Sequence, residues 1–272
     1  MDRYSKYHNR NLNVEFSRIL DEELIYILFQ PIVDLNNGRI LGYEALCRGP
    51  KQSPLHTPDI LFQTAESTNK VIALDDLARK KAIELFMPFF KNHMLFINLR
   101  PSQIASYDFF KTEAFAQMKR NNISFSNIVL EITEQCPISY ISNYKALFKD
   151  LKTLGVKIAL DDVGAGYSGL KTILDIEPDY LKIDMELVKD IHKTPLKRNL
   201  MKGLVNLSNY CNMKIIAEGI ECREELQTII ELGVYGAQGY FLQRPLETPR
   251  DLLSQCKALF SKYFEDYNSY SL

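Results

Sequence analysis

The chain of 272 residues has no tryptophan, only four histidines and only five cysteines. Cys47, Cys136, Cys211, Cys222 and Cys256 form no C-x-x-C pair, and an odd number of thiols makes no complete internal disulfide framework, so reduced cysteines in the cytoplasm are the expectation. His8, His56, His93 and His192 never fall at the spacing that puts two ligands on one helix face, which argues against a zinc site. No run approaches the roughly eighteen consecutive apolar residues of a membrane-spanning helix. The opening MDRYSKYHNRNLNVEF lacks the apolar stretch of a secretory signal. An excess of charge is missing too, because 33 Lys plus Arg stand against 34 Asp plus Glu. A surface built to neutralise a long phosphate backbone needs many more basic side chains, so no nucleic-acid polymer is expected as partner. A small phosphorylated ligand is compatible with that balance.

With 46% hydrophobic and 25% charged residues the chain can bury a sizeable core. Its length suits a single α/β barrel. Short apolar runs predict strands at Ile25–Val33, Ile40–Cys47, Met94–Leu99, Ile128–Ile132, Lys157–Leu160, Tyr180–Ile183, Lys214–Ala217 and Gly236–Phe241. Helical patterns lie between most of them, such as Ile141–Leu154 stopped by Gly155 and Glu224–Leu232 stopped by Gly233. The stretch Arg48 to Pro58, with three prolines and a glycine, predicts a long functional loop. Alternating strands and helices close into a barrel or open into a doubly wound sheet.

The polar residues discriminate between the two. Glu44, Asn98, Glu131, the pair Asp161 and Asp162, Lys182, Glu218 and Gln238 fall within or at the ends of successive strands. In a closed parallel barrel those ends converge on one face, whereas an open sheet would spread them along an edge. The prediction is therefore a modified TIM-type (β/α)8 barrel, with the first two strands joined as an antiparallel hairpin through Leu35-Asn-Asn-Gly38. Five converging carboxylates repel one another unless cations sit among them. Oxygen donors without His or Cys select hard ions, so Mg²⁺ or Mn²⁺ is the expected cofactor. Adjacent aspartates suit two ions about 3.5–4 Å apart, the device that activates water against phosphodiesters. Lys182 is placed to position that water, and Arg48 to grip a phosphate.

Seven ordered blocks carry a resemblance. Phe29–Pro50 (FQPIVDLNNGRILGYEALCRGP), FINLRP from Phe96, LEITE from Leu130, IALDDVGAGYSGL from Ile158, LKID from Leu181, AEGIE from Ala217 and QGYFLQRPL from Gln238 closely resemble the EAL domain family of cyclic di-GMP phosphodiesterases. The resemblance covers about Leu24 to Leu253; residues 1–20 are expected to form an N-terminal extension and 21–272 the barrel domain. The resemblance implies Glu44, Asn98, Glu131, Asp161, Asp162 and Glu218 as ligands of two ions, with Asp161 shared between them. Lys182, Glu44 and Glu218 then carry catalysis, while Gln30, Arg48 and Gln238 bind substrate or water. Glu134 would hold the loop after Asp162. The implied reaction is hydrolysis of one phosphodiester of cyclic di-GMP to linear pGpG, in a homodimer whose first strand runs antiparallel.

Each residue also has a structural role open to it. Asp161 or Asp162 alone would serve as a helix N-cap, Asn98 as a turn former before Pro101, and Lys182 as a snorkelling strand lysine. Glu134 and Glu221 suit helix N-termini, and His192 and Cys47 are read as structural. Against an active enzyme stands one variation: Val163, Ala165 and Gly169 replace the aromatic, threonine and serine usual in the loop of Asp162. A catalytically weak receptor for cyclic di-GMP is therefore the alternative, and an unrelated metal-dependent barrel enzyme a third reading.

Overall fold

The computed structural model describes residues 3–99, 113–133, 138–164 and 169–269. Cys136, Glu134, Ala165 and Gly166 lie outside the described residues. Eight strands close into a barrel in chain order: β1 (Tyr26–Asp34), β2 (Arg39–Arg48), β3 (Met94–Asn98), β4 (Ile128–Thr133), β5 (Lys157–Val163), β6 (Tyr180–Ile183), β7 (Lys214–Ala217) and β8 (Gly236–Ala237). β1 runs antiparallel to both neighbours, β2 and β8. The other pairs are parallel. The turn between β1 and β2 forces that inversion, because a connection of a few residues joins only antiparallel strands. Asp34 stabilises the turn by accepting the Asn36 N–H at 2.9 Å.

Helices pack outside the barrel over a continuous apolar core from Ile27 to Phe260. They are α1 (Arg3–Asp21), α2 (Pro58–Ser67), α3 (Val71–Phe86), α4 (Glu113–Arg120), α5 (Ile138–Thr153), α6 (Gly169–Ile176), α7 (Met185–Val188), α8 (Pro195–Tyr210), α9 (Arg223–Glu231) and α10 (Ser254–Ser269). α1 buries Phe16 and Ile19 with Leu55, Leu61 and Leu74 in a smaller second cluster. α5 and α9 are the two helices legible from periodicity, and Gly155 and Gly233 follow them with positive φ.

The lumen explains where the functional side chains stand. Ile32, Phe96, Val129, Ala159, Tyr180 and Ile216, one from each of β1 and β3–β7, fill the interior as an apolar plug. Side chains of a strand alternate faces, so the residue two positions further toward the mouth points into the same lumen one layer higher. On the parallel strands those residues are Asn98, Glu131, Asp161, Lys182 and Glu218; on the inverted β1 the count runs backwards to Gln30. The plug positions of β2 and β8 are Gly42 and Gly236, and two residues beyond them lie Glu44 and Gln238. Every strand thus contributes one polar side chain to a single layer above an apolar floor.

Two boundaries differ from the sequence expectation. β8 stops at Ala237 instead of running to Phe241, because the chain turns at Gly239, whose carbonyl accepts the N–H of Leu242 and of Gln243 at 3.1 Å each. A Cβ at Gly239 would strike the backbone of Ile220, so the turn needs glycine. β5 continues past Leu160 to Val163, through a register shift against β6 that holds the two aspartates.

Candidate active site

Lys182 is the centre of the ring and is 0% exposed. Its ammonium lies 2.7 Å from Glu131 Oε1, 2.7 Å from Glu218 Oε1, 3.0 Å from Asp161 Oδ1 and 3.5 Å from Glu44 Oε2. An ammonium has three N–H groups and here faces four carboxylates, so it cannot satisfy them all. Glu131 and Asp161 Oδ1 meet this ammonium as ion-pair contacts, and among the described residues no other donor reaches either oxygen of Glu131 or Asp161 Oδ1. Burial alone would lower the pKa of Lys182, but Asp161, Glu131, Glu218 and Glu44 together hold it well above the usual lysine value. Lys182 is therefore a permanent cation, which donates hydrogen bonds and does not accept a proton.

The carboxyl groups shift the opposite way. Burial, and then the neighbouring Glu44 carboxylate, pushes Glu131 well above its ordinary range despite Lys182. Burial lifts Glu218 to about 8, against the pull of Lys182. Asp162 is raised to about 6, by burial first and by Asp161 second. Burial and the crowding of like charges both disfavour the ionised forms here, since two unit charges 4 Å apart cost about 4 kcal/mol at an effective dielectric of about 20.

Neighbouring residues of a regular strand point to opposite faces, yet oxygens of Asp161, Asp162 and Glu218 all lie within 4.8 Å of one another. The bulge in β5 resolves this. Asp162 adopts φ +57°, a left-handed conformation that aspartate tolerates, and the ladder to β6 resumes at Val163 with Ile183. The extra residue turns the second carboxylate back toward the first. Five carboxylates, one amide and no imidazole or thiol form a hard-oxygen donor set, and the oxygens lacking donors inside it fit a divalent cation.

On the other side of the ring, Gln238 Nε2 donates to Glu44 Oε2 at 2.7 Å and to Gln30 Oε1 at 3.1 Å. Gln30 in turn donates to the Gln243 carbonyl at 3.3 Å, and Gln238 Oε1 is buried without a partner among the described residues. Asn98 ends β3 beside Glu131 in register and is exposed at the mouth. Arg48 ends β2, and its guanidinium donates to the carbonyl of Cys47 at 2.8 Å. The ring thus unites Glu44, Glu131, Asp161, Asp162, Glu218, Lys182, Gln30 and Gln238, and leaves Arg48 at its rim.

Sequence reasoning missed Glu225, a buried carboxylate on α9. It accepts the N–H of Glu221 at 2.9 Å, of Cys222 at 3.3 Å and of Asp190 at 2.9 Å, tying the segment after Glu218 to the one before α8. The signal was a capping box, Cys222-x-x-Glu225, concealed by cysteine where serine or threonine usually stands.

A closed eight-stranded barrel with one inverted strand and an acidic ring around a buried lysine defines a modified TIM-like barrel. The sequence model of the EAL domain matches residues 13–245, and the chain belongs to the EAL domain family. It is 32% identical over 230 residues to the probable cyclic di-GMP phosphodiesterase PdeI of Escherichia coli, covering 82% of this chain and 29% of that protein. The cyclic di-GMP phosphodiesterase PdeA of Borreliella burgdorferi is 32% identical over 188 residues, or 68% of this chain and 28% of its own length. The chain therefore spans about a third of the curated relatives it matches. Among solved structures, the manganese and cyclic di-GMP complex of Klebsiella pneumoniae BlrP1 at pH 6 superposes with a TM-score of 0.75 at 27% identity, covering 83% of this chain and 57% of that one.

Proposed function

We propose that this protein hydrolyses cyclic di-GMP to linear pGpG in a reaction that depends on two divalent ions, Mg²⁺ or Mn²⁺. The observation that carries the proposal is the ring itself: five carboxylates around one buried ammonium, with Asp161, Asp162 and Glu218 oxygens within 4.8 Å. Glu44, Asn98, Glu131 and Asp161 would hold one ion, and Asp161, Asp162 and Glu218 the other. Bound there, the ions would supply an activated water and charge neutralisation for the phosphodiester. Lys182, a cation among these carboxylates, would stabilise negative charge as it develops, and could donate to that water once the ions take over its carboxylate partners. Gln238, itself bonded to Gln30, holds Glu44 in place, and Gln238 Oε1, without a partner among the described residues, remains to accept a ligand N–H. Arg48 at the rim suits a substrate phosphate, being planar and permanently charged. A homodimer and a cytoplasmic location belong to the same reading; among the described residues no helix is long and apolar enough to cross a membrane.

The test is turnover. The full chain with Mg²⁺ or Mn²⁺ should release pGpG, while Glu44→Ala and Asp161→Ala should abolish release and keep the wild-type circular dichroism spectrum. Tight calorimetric binding of cyclic di-GMP without turnover in either metal would replace this reading with the receptor.

A further inference from the structure

We propose a second metal site, chemically unlike the acidic ring, formed by His192, Cys222 and Glu225 and suited to Zn²⁺ or another borderline transition ion. One ligand atom from each of these side chains lies within 4.8 Å of the other two. Their sequence spacing hides them, because His192 follows α7 and lies far in sequence from Cys222 and Glu225, the i, i+3 pair that begins α9. The spacing of the histidines alone therefore carries no sign of this cluster.

Three further observations point to a ligand. Nδ1 of His192 is shut off from solvent and has no hydrogen-bond partner among the described residues, an uncommon state for a buried ring nitrogen. Glu225 is oriented in advance, its carboxylate held by the N–H groups of Asp190, Glu221 and Cys222, the kind of outer support that metal-binding carboxylates have. Cys222 and His192 are half-buried, so the cluster lies near the surface although Nδ1 itself is covered. A set of one nitrogen, one sulfur and one oxygen suits Zn²⁺ in three-ligand coordination with a fourth position left to water, and does not suit the hard ions expected in the ring. Binding there would clamp the segment following Lys182 to the segment following Glu218, since Asp190 and Glu221 are already joined through Glu225.

The experiment uses the full chain carrying Asp161→Asn and Glu131→Gln, which weakens metal binding in the ring and makes the outcome independent of the proposed hydrolysis. Titration with Co²⁺ should produce a thiolate-to-metal charge-transfer absorption that disappears in Cys222→Ser and persists in Cys211→Ser. Zn²⁺ competition against a chromophoric chelator should give one site, weakened about 100-fold or more by His192→Ala. Serine keeps the N-cap function of Cys222, and the circular dichroism spectrum of each variant verifies folding. Absence of the charge-transfer band, its survival in Cys222→Ser, or zinc affinity in folded His192→Ala within threefold of the parent would overturn the proposal.

Discussion

Replacing Lys182 by methionine tests the electrostatic reading of the ring without reference to catalysis. Methionine keeps the volume of the lysine stem and removes only the charge, leaving Glu44, Glu131, Asp161 and Glu218 without the cation they share within 3.5 Å. Removing one partner of a buried ion pair costs about 3–5 kcal/mol, because the remaining charge stays buried and unpaired. For a domain of this size each kcal/mol moves the melting temperature by about 2–4 °C, so in EDTA at neutral pH the variant should melt about 6–20 °C below wild type. The carboxyl groups can escape by taking up protons, which makes the loss smaller at about pH 6 than at about pH 8. Adding Glu131→Gln to Lys182→Met should restore part of the stability, with a coupling energy of about 0.5–3 kcal/mol. Differential scanning calorimetry measures all of these quantities. A Lys182→Met protein as stable as wild type in EDTA at pH 8 would refute the claim that this ammonium holds the ring together.

The metal-free protein should also lose stability as pH rises. Glu218 titrates at about 8 in the fold against an ordinary 4.5, and Asp162 at about 6 against 3.8, so their contributions are fully present below the ordinary values and lost as pH passes about 6 and then about 8. In EDTA the fall in melting temperature between about pH 6 and 8.5 should be shallower in Glu218→Gln than in wild type, and equal slopes would contradict the assignment. Gly239→Ala should cost about 1–3 kcal/mol in urea unfolding, since the new methyl meets the backbone of Ile220, and should lower turnover by displacing the neighbouring Gln238.

The barrel and its polar layer were legible because both follow from a period of two: apolar plug residues and site residues alternate on strands that read clearly as Ile, Val, Leu and Phe runs. Lys182 could be suspected from its position between acidic strand ends, but its four contacts depend on barrel closure, which no local pattern encodes. The bulge at Asp162 was hidden for a similar reason, since a left-handed residue in a strand is dictated by pairing with β6 and not by the tripeptide around it. β8 was overextended because QGYFL has strand composition, and only the packing of Gly239 on Ile220 shows that the chain must turn. α1 went unread among polar residues because its buried face, Phe16 and Ile19, gains its partners from α2 and α3, remote in sequence.

The same bulge bears on whether Val163 weakens the site. An aromatic ring at that position could have been what holds Asp162, in which case valine would leave the second carboxylate loose. The geometry assigns that work to the backbone. Val163 pairs with Ile183 in register, and its carbonyl accepts the Asp184 N–H at 3.2 Å, so the chain is pinned to β6 immediately after Asp162. On the other side Leu160 pairs with Leu181, which leaves the two aspartates as a short arch between fixed ends. The Val163 side chain is itself buried in the main core, where it contributes packing and makes no polar contact. Val163→Ala should therefore destabilise the protein by about 1.5 kcal/mol for the two methyl groups lost, while leaving Mn²⁺ affinity, measured by calorimetry, within about threefold of wild type. Asp162→Ala should do the reverse, weakening Mn²⁺ binding with little loss of stability. A Val163→Ala protein that keeps its melting temperature but binds Mn²⁺ ten times more weakly would show that the side chain, and not the ladder, presents Asp162.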